Sequence, residues 1–141
     1  MVLIAEGTTT MQAIAIRLQP QQDLKRELDQ FVAQQQLTAA CVLTCVGSLS
    51  QIALRFANQP NATVQQGHFE IVSLTGVMSI HGCHYHMAIA DAKGQVLGGH
   101  VLEGCLIYTT AEIVIGVLPH LLFKRQPDLV TGYRELAIEE R

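Results

Sequence analysis

Four of the six histidines in this chain fall within one short stretch, as His81-Gly-Cys-His84-Tyr-His86 and then Gly98-Gly99-His100. Neutral imidazole nitrogen is a ligand for Zn, Ni, Cu and Fe. Three protein ligands leave one coordination position open to water or a small molecule. Whether three of these rings meet depends on the segment between them. Asp91-Ala92-Lys93-Gly94 has Asp at the first turn position and Gly at the fourth, which suits a type I turn closed by a left-handed residue. Such a three-residue hairpin loop carries a G1 bulge and pairs Asp91 with Gln95. Counting outward from that pair, His86 falls opposite His100 and His84 opposite Leu102. Side chains alternate along a strand, so His84 and His86 share a face, and directly opposed Cβ atoms lie roughly 5 Å apart. The pattern therefore predicts that His84, His86 and His100 converge as the first shell of a divalent metal, with zinc foremost. A register slip of one residue would put His86 and His100 on opposite faces. The competing reading is three polar residues on a solvated or interface face, since a His-x-His pair alone is a weak signal.

His81 stands at odd spacing from His84 and reads as a surface residue facing the other way. Cys83 is a ligand or nucleophile by type, but alternation points it away from His84. Met87, Ile89, Leu97 and Val101 share the opposite face of the hairpin and read as core. Beyond the histidines, Arg55 sits among apolar strand residues, either binding an anion or, with more weight, held in a structural ion pair. Glu103 and Glu112 are candidate general bases for a metal-activated water. Alternation turns Glu103 away from His100 unless Gly104 introduces a bulge. Glu112 suits an ion pair or hydrogen bond between subunits. The residues themselves name neither a catalytic group nor a substrate.

The chain has 141 residues, 49% hydrophobic and 15% charged, with a net charge of −3. Its length suits one domain with a substantial core. So little charge is unusual for a small monomer, which must cover much surface, and it points to an oligomer of closed cyclic symmetry. The nine Lys and Arg residues form no run, so no phosphate-tracking stripe for nucleic acid is visible. Cys41 and Cys45 on one strand would lie roughly 13 Å apart, too far for a disulfide. No Cys-x-x-Cys occurs, and the four cysteines read as buried thiols of a reducing compartment. With no signal-peptide pattern and no uninterrupted apolar span, the expected location is cytoplasmic.

These side chains need elements to hold them. Residues 1–10 read as a short leader and 11–141 as the domain. Residues 11–18 have strand character. Pro20 ends that strand and a helix opens at Gln21, with Leu24, Leu28, Phe31 and Val32 at helical spacing. Residues 38–46 read as a buried strand, Gly47-Ser48 as a turn, 51–57 as a strand and 58–66 as a loop. Residues 69–80 read as a long strand or strand pair interrupted by Gly76. After the histidine hairpin, 104–117 is a strand broken by Pro119. A basic and apolar connection reaches Pro127, and 133–138 returns as an edge strand. The count is about seven strands and one main helix, with several junctions short enough for antiparallel pairing.

Three segments occur in order: Gly47-Ser-Leu-Ser-Gln-Ile-Ala-Leu-Arg-Phe56, Gly67-His-Phe-Glu-Ile-Val-Ser-Leu-Thr-Gly76 and Gly82-Cys-His-Tyr-His-Met-Ala-Ile-Ala-Asp91. They lead into Gly94-Gln-Val-Leu-Gly-Gly-His-Val-Leu-Glu-Gly-Cys105 and Thr109-Thr-Ala-Glu-Ile-Val-Ile115. Together they resemble the plants-and-prokaryotes-conserved (PPC) domain from about Met11 to Glu139. The resemblance implies an α/β (α+β-like) fold, a mostly antiparallel sheet of about seven strands with one main helix on it, and a homotrimer. In plants the domain follows AT-hooks, Arg-Gly-Arg-Pro motifs that enter the minor groove, and there it serves assembly and partner binding. Bacterial members are commonly the bare domain, labelled as DNA-binding. This chain resembles the bacterial type. It contains no Arg-Gly-Arg-Pro, and it has Gly67-His68-Phe69 where plant members have Gly-Arg-Phe. His84, His86 and His100 match the bacterial pattern, in which they resemble a metal site near subunit interfaces. The resemblance thus implies a DNA-binding or regulatory homotrimer with a His-lined metal site, whose partners are its own copies and DNA or another regulatory protein, with no membrane. The alternative is a metal-dependent enzyme or small-molecule sensor without direct DNA binding.

Overall fold

The computed structural model describes residues 10–141. The proposed leader therefore lies, apart from Thr10, outside the described residues. The elements run β1 (Gln12–Leu18), α1 (Leu24–Gln34), β2 (Ala40–Arg55), β3 (Thr63–Met78), β4 (His84–Ala90), β5 (Val96–Val101), β6 (Leu106–Val117), β7 (Leu121–Pro127) and β8 (Arg134–Glu140). Six strands form one antiparallel sheet in the order β1-β6-β2-β3-β4-β5. The end of β2 also pairs with β5, so the sheet curls back on itself. β7 and β8 form a separate antiparallel hairpin. The mostly antiparallel sheet with one helix is as expected.

The helix starts later than its apolar period suggested. Gln21 has a φ of 71°, a left-handed conformation that a helix cannot contain. Asp23 supplies the N-cap, its carboxylate accepting from the Arg26 N–H at 3.1 Å and satisfying one of the free first-turn donors. The Asp23 carboxylate also accepts the Gly104 N–H at 2.6 Å, tying the cap to the segment before β6. Leu24, Leu28 and Val32 are buried against the sheet, each contributing about 1.5–3 kcal/mol by leaving water.

Two long strands differ from their expected segmentation. Gly47-Ser48 is not a turn but the middle of β2, which bends through register shifts between Val42 and Thr44 and again between Gly47 and Gln51. A Cβ on Gly47 would stand 2.2 Å from the Thr110 carbonyl oxygen, so this glycine permits a close strand approach. The loop expected over 58–66 is shorter, because β3 begins at Thr63. The basic connection to Pro127 is strand β7, and the tail is its partner β8 rather than an edge of the main sheet.

The histidine hairpin has the expected geometry. The Asp91 N–H donates to the Gln95 carbonyl and the Gly94 N–H to the Asp91 carbonyl, both at 2.9 Å, and Gly94 has a φ of 77°. His86 pairs with His100. Met87, Ile89 and Val101 are buried in the core, with Leu97 packed on it.

What the turn does not reveal is how β5 fits between two neighbours. A Cβ on Gly98 would lie 2.6 Å from the Met87 carbonyl oxygen of β4, and one on Gly99 2.6 Å from the Arg55 carbonyl oxygen of β2. Both contacts are to backbone, which has little room to yield. Gly99→Ala should lower the urea-unfolding free energy by about 1–3 kcal/mol, the usual cost of overpacking, with the denaturant slope unchanged. Unaltered stability would show that β5 is not pressed against β2.

Candidate metal centre

The three histidines come from two adjacent strands. Tyr85, between His84 and His86, turns inward and is buried, and its hydroxyl donates to Asp29 of α1 at 3.1 Å. With Tyr85 anchored in the core, its neighbours on either side must face outward. The His84 and His86 Nε2 atoms are 3.1 Å apart. The His84 ring centroid lies 4.7 Å from that of His86 and 4.9 Å from that of His100, and the His86–His100 separation is 5.6 Å. One ring nitrogen from each of the three lies within 4.8 Å of the others. Two nitrogens bound tetrahedrally to one zinc are roughly 3.3 Å apart, given Zn–N bonds of about 2.0–2.1 Å. The His84–His86 pair already stands near that separation, and the third ring needs only a small side-chain adjustment.

The electrostatics also suit a cation. Burial, then the neighbouring charge of His84 and Arg55, pushes His100 down to about 4. Burial, then His86 and Arg125, lowers His84, with Glu135 opposing. At neutral pH the His84 and His100 rings are therefore uncharged, with lone pairs free for a metal.

The rings open into a cleft of about 670 Å³ shared with Arg55, His81, Cys83, Arg125, Tyr133, Arg134 and Glu135. Arg55 pairs in register with His100, and among the described residues it makes no ion pair, so the structural ion pair expected for it is not found. His81 is exposed at the rim and outside the three-ring cluster. Cys83 reaches the cleft edge, but its thiol donates to the Ser79 carbonyl and burial raises its pKa, which suppresses thiolate chemistry. All four cysteines are free.

Glu103 and Glu112 do not join the cluster. Glu103 lies beside α1, paired with Arg26 at 2.9 Å and lining a different cleft with Asp23. Gly104, with a φ of 109°, turns the chain there without returning Glu103 to His100. Glu112 is exposed on β6, in register with Arg17 and Val46. Neither carboxylate is placed to act on a metal-bound group. Sequence reasoning missed Arg125, Tyr133, Arg134 and Glu135. Their arrival depends on a hairpin folding back over the sheet, which no local pattern announces.

The antiparallel sheet with its one helix defines a PPC-type fold. The chain belongs to the Plants and Prokaryotes Conserved (PCC) domain family, whose model matches residues 5–119. It is 49% identical over 133 residues to the bifunctional protein GlmU of Synechococcus sp. (strain JA-3-3Ab), a match covering 94% of this chain and 21% of that protein. The chain thus spans about a fifth of the length of the Synechococcus relatives it matches. It is 33% identical over 93 residues to AT-hook motif nuclear-localized protein 20 of Arabidopsis thaliana, covering 62% of this chain and 33% of that one. Among solved structures, a hypothetical protein of Salmonella enterica superposes with a TM-score of 0.94 at 44% identity, covering 97% of this chain and 99% of that one. A protein of Archaeoglobus fulgidus described as metal-containing has the same fold, with a TM-score of 0.79 at 22% identity over 96% of this chain and 99% of that one. No helix among the described residues is long and apolar enough to cross a membrane.

The lowered His100 value has a consequence for the metal-free protein. The unfolded chain, with ordinary imidazoles near 6.5, binds more protons than the folded one between pH 6.5 and about 4. Stability must therefore be greatest above pH 6.5 and fall as the pH drops toward 4. Urea midpoints of chelator-treated protein should show this decline, and His100→Gln should flatten it. Midpoints that rise on acidification would contradict the arrangement.

Proposed function

We propose that this chain is a homotrimeric PPC-domain protein in which His84, His86 and His100 hold one divalent transition metal, zinc foremost. The carrying observation is the convergence of three imidazole nitrogens within 4.8 Å on a rigid, paired hairpin. A metal bound there would supply Lewis acidity and one open position facing the cleft. The metal-containing Archaeoglobus relative supports the reading. In support of the trimer, Val46 and Val72 are 64% and 55% exposed, and Leu43 and Tyr108 are exposed as well. These are side chains that self-association would remove from water.

The role we propose is regulatory, exerted in the cytoplasm toward a partner protein or a DNA-bound assembly. Kinship with an AT-hook protein supports the DNA side. The net charge of −3 and the absence of Arg-Gly-Arg-Pro within these 141 residues favour contact through a partner. The placement of Glu103 and Glu112 away from the cluster weighs against the enzymatic alternative, and we assign no catalytic step.

Native mass spectrometry of untagged protein reads both parts at once. The expected species is three copies of the 15.4 kDa chain with three metal ions. A His84→Ala/His86→Ala variant should keep the trimer and lose the metal. Metal-free wild-type protein after zinc reconstitution would contradict the metal site, and a monomer would contradict the trimer.

A further inference from the structure

Building on the metal reading, we infer that the cleft binds a small dianion, one oxygen taking the open metal position while Arg55 and Arg125 pair with the others. The argument starts from charge. Arg55, Arg125 and Arg134 line the cleft and Glu135 is its only carboxylate, so positive charge is in excess even before a metal enters. Among the described residues, neither the Arg55 nor the Arg125 guanidinium makes an ion pair or a side-chain hydrogen bond, yet both are half-buried. Each guanidinium carries five donors in a planar fork shaped for carboxylate or phosphate oxygens. Arg134 is committed elsewhere. Its Nη2 and Nε donate to the Arg125 carbonyl at 2.8 and 3.3 Å, which braces the strand carrying Arg125.

Two separate parts of the chain build this site. Arg55 comes from β2, in register with His100. Arg125, Tyr133, Arg134 and Glu135 come from or beside the β7–β8 hairpin, beyond residues 5–119 that the family model matches. The hairpin thus brings Arg125 to the face that carries His84, His86 and His100. Arg55, His86, His100 and Tyr133 also line an adjoining cleft of about 680 Å³, so the metal face is reachable from both sides of Tyr133. Spaces of this size suit a small molecule.

The test is calorimetric titration of malonate and inorganic phosphate, with acetate as the singly charged control. Each is titrated into zinc-loaded and metal-free protein, for wild type, Arg55→Gln and Arg125→Gln. Zinc content is measured in parallel by mass spectrometry. Loaded wild-type protein should bind one dianion per chain, and each variant should bind about tenfold more weakly with zinc content unchanged, as loss of a charge-assisted contact implies. Zinc retained without dianion binding, or binding indifferent to both arginines, overturns the proposal and leaves the metal reading intact. If wild-type protein holds no zinc, the metal reading fails. The dianion site then stands only if metal-free protein shows arginine-dependent binding, and is overturned without it.

Discussion

The arrangement depends on how closely β5 approaches two strands at once. His100 stands in register with His86 on one side and Arg55 on the other, and this requires β5 to fit between the backbones of β4 and β2. Gly98 and Gly99 make that possible, because any Cβ there would meet a carbonyl oxygen at 2.6 Å. Closure of the sheet and assembly of the three rings are one event. The inward faces of the same strands carry Met87, Ile89 and Val101 into the core, so the burial that stabilises the fold also fixes the outward faces.

The same packing gives the site its electrostatic character. Burial, and after it the neighbouring charges, hold His84 and His100 below the ordinary imidazole range. The neutral His84 and His100 rings, beside guanidinium groups that have no ion-pair partner among the described residues, form a surface that can accept a metal through lone pairs and an anion through donors. The two tendencies support each other: an anion offsets the charge that a metal ion adds.

The histidine register was legible because it is set by local turn chemistry. Asp91 and Gly94 define a loop of known length, and alternation does the rest. The α1 apolar face was legible for the same kind of reason, a period of 3.6 residues. Other features depend on contacts distant in sequence. The bulges of β2 lie in its pairing with β6, where Gly47 comes close to Thr110. The β7–β8 hairpin, with Lys124 paired to Glu139 and Phe123 buried, looks in sequence like a basic and apolar connection followed by an edge strand. Arg125 therefore gave no sign of reaching His84. Arg55 stands out in sequence as a charge among apolar neighbours, but that it has no ion-pair partner among the described residues depends on where the surrounding strands run.

X-ray absorption at the metal edge of zinc-loaded protein tests most directly the claim that the hairpin register brings three imidazoles onto one ion. The account predicts three imidazole nitrogens and one oxygen ligand at about 2.0–2.1 Å, falling to fewer imidazoles in His100→Ala. A shell dominated by sulfur, or one holding a single imidazole, would contradict it.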